Sequence, residues 1–320
     1  MGGAPGLILR CLGALPTTSE IVRKRPIQKG TIPRVQEGRQ MTVMPVAEVA
    51  LPAEVAALRH LESSTVERLR HEALTVPRDW VTEYGDYQNG GWHTLSLMND
   101  SGDPRDVTIR DCPQPRFTAL LERMPAVQEL LAGLGVRCMW ARLARLDHGA
   151  FLWEHRDYGE LDEVERHRLH VPVVTNPSAY LVVGGTKVHM SVGRVWRLTP
   201  TSPHGVCNRY GPSRIHLIID CYADAAFHDL NQGDAAAAGD AARLPEPSQS
   251  VLDETVTTAT GLAELGYDHA AETALLGLFY QYALAEGRAY DLVADMYAGL
   301  HRDGDAERWR SKKNVMLGLA

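Results

Sequence analysis

In the stretch EHRDYG, His155 and Asp157 stand two residues apart, directly after the apolar run AFLW. If that run is a strand, residues i and i+2 face the same side, so an imidazole and a carboxylate converge on one ion. A second imidazole is available downstream at His204 in PTSPHGVCN, far enough along for several strands to bring it back beside the pair. Two imidazoles and one carboxylate on one face, with the opposite positions open, form the ligand set of non-haem Fe(II) centres that activate O2. Arg214 then opens the apolar run RIHLIID. A guanidinium turned into a barrel is costly unless it meets an anion, and its planar fork matches a carboxylate such as that of 2-oxoglutarate.

The same triplet recurs in LHRDGD, at His301 and Asp303. These two end a helical apolar stripe, and on a helix residues i and i+2 lie about 200° apart and diverge. A solvated helix end is expected there, and the first copy is the candidate site.

The elements that must position these groups follow from pattern. Hydrophobic residues at 44% and charged residues at 23% are ordinary for a folded globular chain. A net charge of -7 argues against a nucleic-acid partner, whose binding rests on neutralising phosphates. The cysteine count, five, is odd and includes no C-x-x-C pair, which suits thiols in a reducing compartment and makes cytoplasm the expected location. Arg10 interrupts the one apolar run near the start, so export is not expected, and Gly6 stands where a myristoylation motif needs Ser or Thr. No stretch approaches the roughly 18 apolar residues that span a bilayer, so no membrane association is expected.

Residues 1 to 40 mix Gly, Pro and the basic run VRKRPIQKG, which reads as a flexible tail. A helix is expected from Pro52, and another from Phe117 to Leu134, kinked at Pro125. Then come short runs rich in β-branched and aromatic residues: RCMWARLARL, AFLW, LHVPVVT, AYLVV, KVHMSV, RVWRLT and RIHLIIDCY. With no long helical segment between them, an antiparallel barrel or jelly roll is favoured over parallel βαβ units. The two glycines between YLVV and TKVHM suit a tight primed hairpin turn. The barrel domain, with its N-terminal helices, is expected over 41 to 230, a low-complexity linker over 231 to 250, and a helical extension over 251 to 320. In that extension Leu275, Leu278, Phe279 and Tyr282 make one apolar stripe and Tyr290, Val293, Ala294 and Tyr297 another.

The stretches HRDYGELD, RLHVPV, HGVCN and SRIHLIIDCY together resemble the aspartyl/asparaginyl β-hydroxylase family of Fe(II)- and 2-oxoglutarate-dependent dioxygenases. The likeness runs over roughly 41 to 320 and is strongest from 140 to 222. It implies a mainly β protein with a double-stranded β-helix core, and iron on His155, Asp157 and His204. It implies Arg214 on the distal carboxylate of 2-oxoglutarate, with Arg168 and His170, an Arg-x-His pair, near the other carboxylate or the substrate. Where vertebrate members carry a serine eleven residues before the first iron histidine, this chain has Ala144, so that contact must come from elsewhere. The implied reaction uses O2 to hydroxylate an unactivated C–H of a small molecule and releases succinate and CO2. A free, proline-like amino acid leads as substrate, followed by a small peptide or amino-acid-derived compound of secondary metabolism. Trp92, Asn89, Arg142 and Trp153 are candidates to line the substrate pocket, although Trp153 fits core packing as well. Two rivals stay open: a cupin-like metalloenzyme that does not use 2-oxoglutarate, and a catalytically silent binding barrel. A homodimer is compatible with the sequence.

Overall fold

A computed structural model describes residues 49–76, 79–82, 84–159, 161, 164–232 and 239–319. The expected flexible tail, 1 to 40, lies outside the described residues. Strands β1 (Val55–His60), β2 (Trp92–Asn99), β3 (Arg116–Phe117), β4 (Cys138–Leu146), β5 (Ala150–His155), β6 (Arg166–Val174), β7 (Ala179–Val183), β8 (Thr186–Val188), β9 (Arg194–Leu198), β10 (His204–Asn208), β11 (Arg214–Tyr222) and β12 (Ala241–Arg243) build two antiparallel sheets. Their orders are β1-β9-β6-β11-β4-β2-β3 and β12-β8-β7-β10-β5. From β4 to β11 the chain crosses repeatedly between the sheets, the winding of a jelly roll, or double-stranded β-helix.

Helices α1 (Ser63–Thr75), α2 (Pro125–Leu134) and α3 (Ala225–Asn231) pack on the larger sheet. Helices α4 (Gln249–Glu264), α5 (Asp268–Leu276), α6 (Arg288–Gly299) and α7 (Asp303–Leu317) pack on the smaller one. The larger sheet is thus covered on both faces, and its strands β4, β6 and β11 divide their side chains accordingly. On β11, Ile215, Leu217, Ile219 and Cys221 enter the core under α1 to α3, whereas Arg214, His216, Ile218 and Asp220 occupy the alternate positions, toward the barrel. The β7–β8 hairpin turns on Gly184 and Gly185, both at positive φ (51° and 70°), as the sequence suggests.

Four expectations change. The residues after Pro52 form β1, an edge strand on β9, because pairing on the sheet outweighs the helix propensity of its alanines. The 117–134 run is not one kinked helix: β3 and a short 3-10 turn precede α2, which begins at Pro125, where a missing N–H costs nothing. The residues Trp92–Asn99, not read as a strand, form β2 between β4 and β3. Within the expected linker, Ala241–Arg243 is a strand paired with β8.

The C-terminal helices are bolted to the strand that carries His155. The Tyr290 hydroxyl donates to the Glu154 carbonyl (2.7 Å), the Gly287 N–H to the Glu154 carboxylate (3.0 Å), and the Arg156 N–H to the Met316 carbonyl (2.9 Å). On β10, Gly205 is required by close approach: a Cβ there would stand 2.8 Å from both the Phe279 ring and the Tyr280 hydroxyl. Removing residues 251–320 would expose Trp153, Val182 and Cys207 on the sheet they cover. A fully buried large apolar side chain is worth about 1.5–3 kcal/mol, so several together rival the whole stability of a domain. The truncated chain is expected to lose its cooperative thermal transition, measured by calorimetry.

Candidate metal centre

Strands β5 and β10 are neighbours, and their register sets His155 directly opposite His204. Asp157 follows β5, its N–H donating to the Pro200 carbonyl (2.9 Å). The Asp157 carboxylate stands 3.8 Å from His155 Nε2 and 3.4 Å from His204 Nε2. Among the described residues these three make the one group of three or more His, Cys, Asp and Glu side chains placed to share a metal ion, their donor atoms all within 4.8 Å of one another.

Both imidazoles are held in the tautomer a metal needs. His155 Nδ1 is 2.7 Å from the Trp153 carbonyl and His204 Nδ1 2.9 Å from the Ser202 carbonyl. A carbonyl only accepts, so the proton sits on Nδ1 and the Nε2 lone pair points to the shared centre. Burial keeps both rings neutral, pushing His204 down to about 3. Burial pushes the Asp157 carboxyl up, but the Arg168 guanidinium outweighs it and holds the group below the usual carboxylate range. The donor set fits a divalent ion.

A bulge decides which β5 side chains join this centre. His155 pairs with His204, but Leu152 pairs with Val206, so one extra residue intervenes. Leu152 and His155 consequently both reach the cleft, while Trp153, on the same parity as His155, stacks on Phe151 beneath the C-terminal helices (5.5 Å). Trp153 is a core residue and not a wall of the pocket. Asn89 is not among the residues that line the cleft: its amide donates to the Gly149 carbonyl and its Oδ1 accepts from Phe151 N, which fixes the start of β5. Trp92 and Arg142 do line the cleft, which encloses about 800 Å³ including its open mouth.

Arg214 lies in the same cleft as the three candidate ligands. Its side chain is buried, and Nε and Nη2 have no hydrogen-bond partner. Burial lowers it to about 10, which leaves it charged at neutral pH. An unmet, desolvated guanidinium is expensive, and a carboxylate of the right reach removes the cost. Beside it His170 and His216 approach through their Nδ1 atoms (3.4 Å), each with an unpartnered Nε2. Ala144 is fully buried in the core between the sheets and offers no polar contact.

Arg168, expected near a co-substrate carboxylate or the substrate, is held by two carboxylates of the chain itself. It lines the cleft, but Nη1 donates to Asp157 Oδ2 (2.7 Å) and Nε to Asp220 Oδ1 (2.7 Å). Asp220 also pairs with Arg142 and accepts from the Tyr158 hydroxyl (2.5 Å). Asp220 and Tyr158 escaped sequence reasoning, as did the cleft-lining Tyr84, Tyr87 and Trp140. For Asp220 a signal existed: it shares the parity of Arg214 and His216, alternating with the apolar Ile215, Leu217 and Ile219. His301 and Asp303 are exposed, His301 in the turn between α6 and α7, in no metal-capable group among the described residues.

L-proline cis-3-hydroxylase 1 of Streptomyces sp is 32% identical over 155 residues, covering 46% of this chain and 52% of the relative. L-proline cis-4-hydroxylase of Rhizobium meliloti (strain 1021) is 29% identical over 164 residues, covering 49% and 58%. The chain thus spans about half the length of the curated relatives it matches. A 2OG-Fe(II) oxygenase family oxidoreductase from Burkholderia pseudomallei superposes on 52% of this chain and 84% of its own, with a TM-score of 0.39 and 13% identity. No described helix is long and apolar enough to cross a membrane. Residues 54–224, which carry His155, Asp157, His204 and Arg214, match the Aspartyl/Asparaginyl beta-hydroxylase family, and the chain belongs to it.

Proposed function

We propose that this protein is an Fe(II)- and 2-oxoglutarate-dependent dioxygenase that hydroxylates an unactivated C–H of a proline-like free amino acid or a small amino-acid-derived molecule. The observation that carries the reading is Arg214: a buried guanidinium with two unpartnered nitrogens, in one cleft with two imidazoles and a carboxylate. A metal site alone gives that charge no purpose, whereas a dicarboxylate co-substrate held in the same cleft would supply its counter-ion. The similarity to two proline hydroxylases supports an amino acid as substrate.

In this reading His155, Asp157 and His204 hold the iron, which with 2-oxoglutarate and O2 supplies the oxidant, giving succinate and CO2. Arg214 takes the distal carboxylate, with His170 beside it. Arg168 steadies Asp157. Trp92, Trp140 and Tyr87 wall the cleft and exclude water, and the Arg142 guanidinium, 3.7 Å over the Trp140 ring, lies on the substrate side. The residues hold the reacting carbon near the metal and shield the oxidant, while the cofactors carry the chemistry.

The test is anaerobic addition of Fe(II) and 2-oxoglutarate to the metal-free chain. A weak visible charge-transfer band is expected, followed, on admitting O2 with proline, by succinate release above the substrate-free rate. A metal-bound protein with no band would mean that 2-oxoglutarate does not chelate the ion, and the cupin-like reading would replace this one. Absence of metal binding would leave a binding barrel.

A further inference from the structure

Asp220 is fully buried, and both its carboxylate oxygens are engaged: Oδ1 by Arg168 Nε and the Tyr158 hydroxyl, Oδ2 by Arg142. It is therefore in no position to ligate an ion. Its partners reach the candidate ligand Asp157 by two routes. Arg168 spans the two carboxylates, with Nε on Asp220 and Nη1 on Asp157 Oδ2. That leaves Asp157 Oδ1 without a hydrogen-bond donor among the described residues. Tyr158, next to Asp157 along the chain, has a left-handed backbone (φ 70°), a conformation costly for a residue with a side chain, and its hydroxyl is anchored on Asp220.

We propose that Asp220 is a positioning residue for the metal centre, fixing Arg168 and Tyr158 so that Asp157 presents one open oxygen to the ion. The charge count points the same way. Arg142 and Arg168 face Asp157 and Asp220, two cations against two anions. Without Asp220, Arg168 would rest on Asp157 alone and compete with a dication for its charge, while Arg142 would be left uncompensated. The proposal rests on the reading of His155, Asp157 and His204 as the metal site, and binding of a divalent ion by the parent protein tests that reading separately.

The experiment titrates metal-free full-length variants with Mn(II) or Co(II), without co-substrate, and records melting temperatures alongside. Asp220→Asn should bind the metal about 10- to 100-fold more weakly, the usual cost of losing a group that orients a ligand, and should alter the visible Co(II) spectrum. Ile219→Ala, on the same strand but turned into the core under α1 to α3, should lower the melting temperature and leave metal affinity in place. Arg168→Lys should weaken binding as Asp220→Asn does, whereas Arg142→Lys, which touches Asp220 but not Asp157, should change it less than threefold. The Arg168 and Arg142 pair decides the matter if Asp220→Asn does not fold. Parent-like affinity in folded Asp220→Asn, or equal loss from Arg142→Lys and Arg168→Lys, would overturn the proposal.

Discussion

Arg214→Met is expected to raise the apparent constant for 2-oxoglutarate by about two to three and a half orders of magnitude. Methionine keeps an unbranched apolar stem but leaves the distal carboxylate desolvated and unpaired. Breaking one side of a buried ion pair costs roughly 3–5 kcal/mol, and about 1.4 kcal/mol corresponds to a factor of ten. Because Arg214 in the free protein is itself buried with two unpartnered nitrogens, its replacement should not destabilise the fold. Fe(II) affinity should barely change, since the guanidinium does not touch the ligands. Arg214→Lys should fall between parent and Met, keeping charge but losing the fork. A 2-oxoglutarate titration followed by succinate release, beside an Fe(II) binding curve for each variant, checks all of this. If Arg214→Met kept parent-like dependence on 2-oxoglutarate, the carboxylate would be held elsewhere in the cleft.

His155→Ala, Asp157→Ala and His204→Ala are each expected to weaken Fe(II) binding on the order of a hundredfold or more and to abolish turnover. In four-ligand zinc sites the binding energy amounts to about 3 kcal/mol per ligand, which sets this scale. Truncation also opens the centre to water. His301→Ala should match the parent, because His301 is exposed between two helices. Equilibrium binding of Fe(II) under anaerobic conditions reads both results, and loss of iron in the His301 variant alone would move the site to the second HRD.

The sequence carried the metal centre more clearly than its surroundings, for a physical reason. His155 and Asp157 are local, and His204 and Arg214 lie on strands whose neighbours are apolar, so each polar residue stands out against a buried background. Trp153 was ambiguous because period-two alternation puts it with His155; the bulge that separates them is fixed by pairing with β10 and has no local mark. Asn89 reads as a polar residue near the barrel mouth, yet its amide is spent on backbone groups at the start of β5. Arg168 was recognised as a pocket residue, but its partner Asp220 lies 52 positions away, a distance over which no periodicity speaks. The helix expected after Pro52 failed for a related reason: alanine-rich edge strands take their conformation from the strand they pair with.

The hydrogen bond from Arg156 N–H to the Met316 carbonyl also sets a clock. The amide between His155 and Asp157 belongs to a segment made 160 residues before its acceptor. At synthesis rates of roughly 5–20 residues per second, that gap lasts about 8–30 s. Every strand of the two sheets precedes α7 along the chain, so this hydrogen bond is among the last contacts to become available. Joining contacts so distant along the chain carries a loop-closure cost that nothing local offsets. In a nascent chain that carries all three candidate ligands but not yet Met316, the amide between His155 and Asp157 would still lack its acceptor.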